Sequence, residues 1–383
     1  MRTCFATVDR VVRQDGAMQV LELGGSDTPA ICYKSLSGSC AEGDRVLVNV
    51  TATDMGLGTG GYDFVICRLD ATMGEDGDAL EGGDGTVCRG DGPETASQTT
   101  SKSMKLRYTP LQCDVDCVED ECSPFHDVLE GAVSLDGMPV VCCGLHSQMP
   151  LVAAGMRRAH PDARIVYCMT DEASLMNPFS NVARRCVETG LVNLTISCGQ
   201  AMGGDAEAVS LHSGLVAAHS AFDADAVIVS IGPGIAGTGT ELGNGGVAQA
   251  EGVNAAAALG ARTTAAMRVS FADPRERHHG VSHHFLEAMG RLALASADIC
   301  YPMESTGLGE WDLVWRQLDA AGIPGKHRMA PVEVGDAPID TRGIEVTSMG
   351  RGFDDDPWFF LSAYAAGIHA GGQIREFRDG SAG

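Results

Sequence analysis

The chain is poor in positive charge. Its 383 residues include only 27 lysines and arginines against 51 aspartates and glutamates, which gives a formal net charge of -24 at pH 7. Such a surface repels the phosphate backbone of nucleic acids and anionic lipids, so we expect neither nucleic acid nor membrane as a partner. The sequence also lacks any run of about eighteen apolar residues, the length needed for a membrane-spanning helix.

Several familiar cysteine and serine motifs are missing. The 14 cysteines include no Cys-x2-Cys pair, and the spacing of Cys113, Cys117 and Cys122 differs from that of a zinc knuckle. Because no apolar leader follows Met1, this number of cysteines predicts free thiols in a reducing cytoplasm. The absence of a Gly-x-Ser-x-Gly turn argues against the common serine-hydrolase arrangement.

The N-terminal part of the chain has the pattern of a small β-barrel. Five short β-favouring runs, separated by turns rich in glycine and aspartate, lie between Cys4 and Arg68. Residues 71–103 then consist mainly of Gly, Asp, Glu, Ser and Thr, which predicts an acidic, flexible insertion with little to bury. We therefore predict a barrel-like domain made of residues 1–70 plus 104–114.

The segment Met104–Pro110 returns to an alternating pattern. As a strand it would place Lys105, Arg107 and Thr109 on one face. That face has two open interpretations, one in which it contacts solvent and one in which it contributes cations to a ligand site.

Beyond residue 135, predicted buried strands such as Leu194–Cys198 and Ala226–Ile231 alternate with predicted helices. Such alternation implies a mainly parallel sheet with helices on both faces, so we predict a Rossmann-like α/β/α domain over 135–383. One predicted helix spans Ala206–Phe222, because apolar residues recur every three or four positions within it. The last predicted helix begins at Pro357 and ends near Gly371.

Polar residues follow several of these predicted strands. Ligands of open α/β sheets bind beyond the carboxyl ends of the strands, so these residues are candidates for a site. His146 follows the first strand of the domain, Asp171 follows the second, and Asp205 is predicted to open the helix after the third. As helix caps or buried hydrogen-bonded groups the same residues would be purely structural.

A glycine-rich run follows the fourth strand. Gly232, Gly234 and Gly237 fit the dinucleotide fingerprint formally, but the glycines continue to Gly246, so the helix begins too late for that motif. A backbone cradle for phosphate or carboxylate, with Thr238 and Thr240, fits the run better. A structural loop is the remaining interpretation.

The fifth strand leads into the stretch Ser270–His284, which concentrates cations and imidazoles. We predict that Arg275 and Arg277 hold an anionic ligand there, that Asp273 is a further ligand-binding residue, and that His283 or His284 acts as general acid or base. Ordinary ion pairs are the alternative for the arginines. Neighbouring helical residues point about 100° apart, which disfavours a metal shared by the two histidines, but the sequence does not decide whether a metal binds.

Several of these segments, taken together, resemble a bacterial family of unknown function, DUF3866. The resemblance rests on Gly232–Thr240, Asp273–His278, Ser282–His284 and Met349–Arg351, together with Met104–Pro110, and covers nearly the whole chain outside 71–103. It implies a bacterial cytoplasmic protein and supplies no activity, cofactor or substrate.

Two functions of different classes follow from this sequence. The first is an enzyme, a transferase or hydrolase, acting on a small anionic or phosphorylated metabolite, with Asp171 or Asp205 orienting the substrate or a metal. The second is a non-catalytic sensor that binds a nucleotide or metabolite. The cofactor is unknown at this level, and a homo-oligomer is an open alternative to a monomer.

Overall fold

The computed structural model of the protein divides into two compact units, Met1–Ser123 and Pro124–Gly383. The boundary falls between the predicted domains. The predicted insertion at 71–103 lies outside the described residues, apart from Cys88–Arg89 and Ser103. The structure describes residues 1–14, 18–56, 61–69, 88–89, 103–303 and 308–381.

The first unit contains the predicted β-barrel, which has five strands and is closed. Its first strand pairs antiparallel with both the second and the fourth, and these pairings close the ring. Cys4, Ala6 and Val8 alternate inward along the first strand and form part of the barrel core. The barrel strands are β1 (Thr3–Gln14), β2 (Met18–Leu23), β3 (Ala30–Tyr33), β4 (Arg45–Asn49) and β5 (Asp63–Leu69).

The segment Met104–Pro110 does not form the predicted strand. Leu106 and Tyr108 have positive φ angles of 52° and 63°, which break the extended conformation after two residues. Lys105 is buried at 2% exposure and Arg107 is exposed, so the two cations do not share a face. The short elements of this unit are α1 (Lys34–Ser37), α2 (Thr51–Asp54), β6 (Cys88–Arg89), β7 (Met104–Lys105) and β8 (Cys113–Asp114).

The second unit is built on the predicted Rossmann-like sheet. Its eight strands are all parallel, in the order β12-β11-β10-β13-β9-β14-β17-β18. All residues of β9, β10 and β13 are buried, as expected for central strands covered on both faces. The strands are β9 (Pro139–Cys143), β10 (Ile165–Thr170), β11 (Leu194–Cys198), β12 (Ala206–Ala208), β13 (Ala226–Ile231), β14 (Arg262–Ala266), β17 (Asp298–Pro302) and β18 (Arg328–Val332). Two short strands outside this sheet, β15 (Val269–Ser270) and β16 (Gly280–Val281), pair antiparallel with each other.

Helices cover both faces of this sheet. The chain crosses from β9 to β10 in one direction and from β13 to β14 in the other, so right-handed crossovers place the intervening helices on opposite faces. The carboxyl ends of β9 and β13 therefore form a topological switch point. The helices are α3 (His126–Leu129), α4 (Met149–Ala159), α5 (Asn181–Glu188), α6 (Leu211–Ser220), α7 (Ala248–Ala258), α8 (His283–Phe285), α9 (Trp311–Ala320), α10 (Ile323–Lys326) and α11 (Pro357–Ser381).

The prediction of one helix over Ala206–Phe222 is wrong. The carboxylate of Asp205 accepts hydrogen bonds from the backbone N–H and the hydroxyl of Thr195, which hold the chain beside β11. The next three residues therefore pair with β11 as the edge strand β12. The helix α6 begins only after Ser210, whose hydroxyl accepts a hydrogen bond from the Ser213 backbone N–H.

The last helix is longer than predicted. Glycine is a common helix end, which favoured a stop near Gly371, but α11 continues to Ser381. Gly367 and Gly371 instead allow α11 to pack closely against α4, because a Cβ atom at either position would meet α4 atoms at less than 3.0 Å. Among the described residues, no helix is both long and apolar enough to cross a membrane.

Candidate functional site

Three histidines of the second unit converge on one point. His278 ends a short 3-10 helix (Glu276–His278), and His283 and His284 begin α8. One ring nitrogen from each histidine lies within 4.8 Å of those of the other two. The ring centroids of His283 and His284 are 4.3 Å apart, and those of His278 and His284 are 4.8 Å apart.

This convergence corrects the expectation that neighbouring histidines diverge. That expectation holds for Cβ directions in a regular helix, whereas α8 is only three residues long and passes directly into a π-helix, Leu286–Leu292. A positive φ of 78° at Gly280 turns the chain between the histidines. His279 lies outside this group and places its ring edge-on to Phe271 at 5.2 Å.

Arg268 fixes the hydrogen position on His284. The Arg268 side chain is 6% exposed and places Nη1 at 3.3 Å from Nδ1 of His284. A guanidinium group can only donate, so Nδ1 accepts and the neutral imidazole carries its hydrogen on Nε2. That Nε2 atom is buried and has no hydrogen-bond partner in the described part of the chain. The site therefore presents an unused N–H donor.

The histidines are neutral at pH 7. Burial and the neighbouring Arg268 lower the pKa values of His278 and His284 to about 3. Burial, followed by the charge of Arg277, also lowers the pKa of His283. Positive charge around the imidazoles thus opposes a further positive charge on them.

Asp273 holds the surrounding arginines together. Its fully buried carboxylate accepts two hydrogen bonds from Arg275, of 2.9 Å and 2.7 Å, and lies 3.4 Å from Arg351 and 3.9 Å from Arg268. The Arg275 hydrogen bonds hold the pKa of the Asp273 carboxyl well below its usual range. Two of the guanidinium nitrogens of Arg275 therefore bond to Asp273, which is the ion-pair alternative considered for this arginine.

Arg277 differs from Arg275 because no carboxylate pairs with it among the described residues. It is exposed, and its Nη1 lies 3.9 Å from the position that a Cβ atom would occupy at Gly239. A Cβ atom at Gly237 would lie 3.5 Å from Cε1 of His284, and one at Gly246 would lie 2.8 Å from its Cβ. The loop after β13 thus borders both Arg277 and His284, although more than thirty residues separate this loop from either residue in the sequence.

The other predicted members of this loop have internal roles. The Thr238 hydroxyl donates to the Gly243 carbonyl at 2.9 Å and lies 2.9 Å from the Thr240 hydroxyl, so the threonines close the loop on itself. Gly232 permits close approach of the Ser174 carbonyl, which a side chain would block. Gly234 has a positive φ of 93° and open space beside it.

His146 is a buried and fully hydrogen-bonded histidine. Its Nδ1 lies 3.3 Å from the carbonyl oxygen of Ile231, which can only accept, so Nδ1 carries the hydrogen. Nε2 then accepts from the Ser180 hydroxyl at 2.6 Å. Burial lowers the pKa of His146 to about 4. The residue joins β13 to the start of α5 and has no free nitrogen for a ligand.

Neither of the two aspartates predicted for this site makes a hydrogen bond or ion pair with the histidines in the described structure. Asp205 is at the amino-terminal end of β11, the edge of the sheet opposite the strand carboxyl ends. Asp171 follows β10 and accepts a hydrogen bond of 2.6 Å from the Gln200 backbone N–H. It lines a separate cavity of about 240 Å³. Lys105 and Arg107 belong to the first unit.

Four residues of the cluster were not among the predicted site residues. Arg268 and His278 supply a cation and an imidazole, and Arg351 and Asp356 complete the charge network, with Asp356 accepting from the Ser270 hydroxyl at 2.6 Å. Arg268 and Arg351 stand out in an acidic chain, and His278 belongs to the histidine-rich stretch. These features of the sequence could have identified the three residues as site candidates, whereas no feature of the sequence indicates that Asp356 pairs with Ser270.

The donor set suits an anion better than a metal cation. Metal-bound histidines usually donate their second N–H to a carboxylate or carbonyl group, whereas His284 accepts from the cation Arg268. Its Nε2 would have to lose a hydrogen to bind a metal, close to several arginines. An anion, in contrast, accepts from Nε2–H and is attracted by Arg277 and Arg268.

The fold and the cluster define a Rossmann-like α/β protein with an N-terminal β-barrel and a cluster of arginines and neutral histidines. The chain belongs to a family described as a protein of unknown function, DUF3866, whose family model matches residues 29–367. No curated protein and no solved structure matches the chain significantly.

Proposed function

We propose that the histidine–arginine cluster and the loop after β13 bind the anionic group, a phosphate or carboxylate, of a small metabolite. The observation that carries this proposal is the buried, unpartnered Nε2–H of His284, which lies beside Gly237 and the unpaired Arg277. An unmade hydrogen bond of a buried donor is costly, and an oxyanion supplies the missing acceptor.

We further propose that the protein is an enzyme, a transferase or hydrolase, with His283 as the acid–base group. His284 is fixed as a donor by Arg268, whereas Nε2 of His283 is buried without a partner. A bound dianion raises the pKa of an adjacent imidazole towards neutrality, where proton transfer is efficient. Recovery of an intact ligand without turnover would instead support a metabolite sensor.

A bacterial cytoplasmic location is part of this proposal. Cys32 and Cys40 are free thiols, although their sulfur atoms lie only 3.7 Å apart. Free thiols at such proximity fit a reducing compartment. The net charge of -24 supports a small ligand over a nucleic acid or an anionic membrane.

The test is a calorimetric titration with inorganic phosphate. Arg277→Ala should weaken phosphate binding about ten- to a hundredfold, because it removes one charge-assisted hydrogen bond. The melting temperature should stay within a few degrees of the parent value, since Arg277 is exposed and unpaired. Arg184→Ala, which removes an exposed arginine paired with Glu188, is the control and should bind like the parent protein. Equal phosphate affinity in both variants would contradict the proposed site.

A further inference from the structure

A second polar cavity lies at the same edge of the sheet. It has a volume of about 240 Å³ and opens beyond the carboxyl ends of β10 and β11, between α6 and α7. Three carboxylates, those of Asp171, Glu172 and Glu251, line it together with Thr170. The remaining wall includes His212, the apolar residue Leu211 and small residues of α7.

Two buried polar groups of this cavity lack partners. Thr170 is 8% exposed, and its Oγ1 atom and Oε2 of Glu172 make no hydrogen bond of ordinary geometry within the described structure. Burial raises the pKa of the Glu172 carboxyl, and the nearby Thr170 hydroxyl offsets part of this effect. A cationic donor in the cavity would satisfy the free carboxylate oxygen, and the hydroxyl could bond to the same group.

The arrangement favours an ammonium group over a metal ion. A bare metal ion requires several ligand atoms around one point. Among the described residues only the histidine trio brings three such atoms together, and the carboxylates of this cavity do not. An ammonium group donates three separate hydrogen bonds, which matches acceptors spread over a cavity wall, and the apolar wall suits an attached carbon chain.

The cavity and the histidine cluster are neighbours along the same loop. A Cβ atom at Gly245 would lie 3.4 Å from the carbonyl oxygen of Glu172, and one at the adjacent Gly246 would lie 2.8 Å from Cβ of His284. Ala248, which lines the cavity, is two residues beyond Gly246, so their Cα atoms are at most about 7 Å apart. The borders of the two sites are therefore no farther apart than these two residues.

We propose that the ligand of this protein is zwitterionic, with its anionic group at the histidine–arginine cluster and a protonated amine in the acidic cavity. This inference rests on the proposed anion site and names the chemical class of its ligand, an aminoalkyl phosphate or carboxylate. The opposite charges of the two sites then select against metabolites that carry only one of the two groups.

The test compares ω-aminoalkyl phosphates of increasing chain length with the matching n-alkyl phosphates. We expect the amine to strengthen binding by about tenfold or more at one chain length, as one additional charge-assisted contact would do. In Glu172→Gln the ratio between the amine and its alkyl counterpart should fall towards one. Glu188→Gln, an exposed residue of α5, is the control and should keep the ratio of the parent protein.

The outcomes separate this inference from the site on which it rests. If alkyl phosphates bind and the amine gives no advantage at any chain length, the amine site is contradicted and the anion site stands. If neither series binds, both proposals fail. Thermal melting of each variant verifies that it is folded, and the isosteric change from Glu to Gln limits structural disturbance.

Discussion

Alanine at Gly155 or Gly367 should severely destabilise the protein. These glycines lie where α4 and α11 cross, and an added Cβ atom would stand 2.7 Å from the Ile368 backbone nitrogen or 2.8 Å from the Val152 carbonyl carbon. Both obstacles are backbone atoms of packed helices, which cannot rotate away as a side chain can. The loss in the free energy of unfolding should therefore reach or exceed the about 1–3 kcal/mol typical of overpacked cores.

Gly372 provides the matched control for this prediction. It lies in the same helix, α11, and no atom stands within 4 Å of an added Cβ. Gly372→Ala should leave stability unchanged or raise it by about 0.5–1 kcal/mol, because alanine favours helix more than glycine does. Urea unfolding of the three variants measures the difference. Equal stability of Gly367→Ala and Gly372→Ala would show that the two helices are not packed this closely.

Replacing Asp273 by asparagine should damage both stability and binding. The substitution keeps the shape of the side chain and removes the buried charge that Arg275, Arg351 and Arg268 share. Breaking a buried ion pair costs about 3–5 kcal/mol, because the partner charges remain without compensation. Phosphate affinity should also fall, since Arg268 no longer holds His284 in its donor orientation.

The control for this variant is an exposed ion pair. Glu188 and Arg184 pair at 2.7 Å with about half of each side chain exposed, so Glu188→Gln should cost less than about 1 kcal/mol. Urea unfolding and phosphate titration of both variants give the comparison. A loss for Asp273→Asn no larger than that for Glu188→Gln would mean that the arginine network is not organised by this carboxylate.

The sequence pattern was sufficient for the architecture because burial on both faces leaves a strong signal. Strands such as Leu194–Cys198 and Ala226–Ile231 could be predicted to the residue. The edge strand Ala206–Ala208 could not be predicted in this way. Its pairing depends on a hydrogen bond between Asp205 and Thr195, and the apolar periodicity of the sequence does not indicate such a bond. Gly371 illustrates a similar limit, since close helix packing and helix ends both select glycine.

The candidate site was predictable in composition and less so in geometry. Cations and imidazoles concentrated in Ser270–His284 indicated where chemistry could lie. Whether an arginine is free or paired depends on the direction of its side chain, which the sequence alone does not give, so the sequence does not distinguish Arg275 from Arg277. The convergence of His283 and His284 could not be predicted either, because no sequence pattern indicates the π-helix that follows Phe285.

The central claim, that the histidine trio binds an anion, is tested most directly by NMR titration of the imidazole nitrogens with sulfate and with Zn²⁺. Sulfate stays dianionic between about pH 5 and 8, the window in which histidines normally titrate. An anion favours the protonated imidazole, so sulfate should raise the pKa values of His278 and His284 from about 3 towards neutrality. A metal ion competes with protons and has the opposite effect. Unchanged imidazole signals with sulfate, together with stoichiometric changes on adding Zn²⁺, would contradict the account.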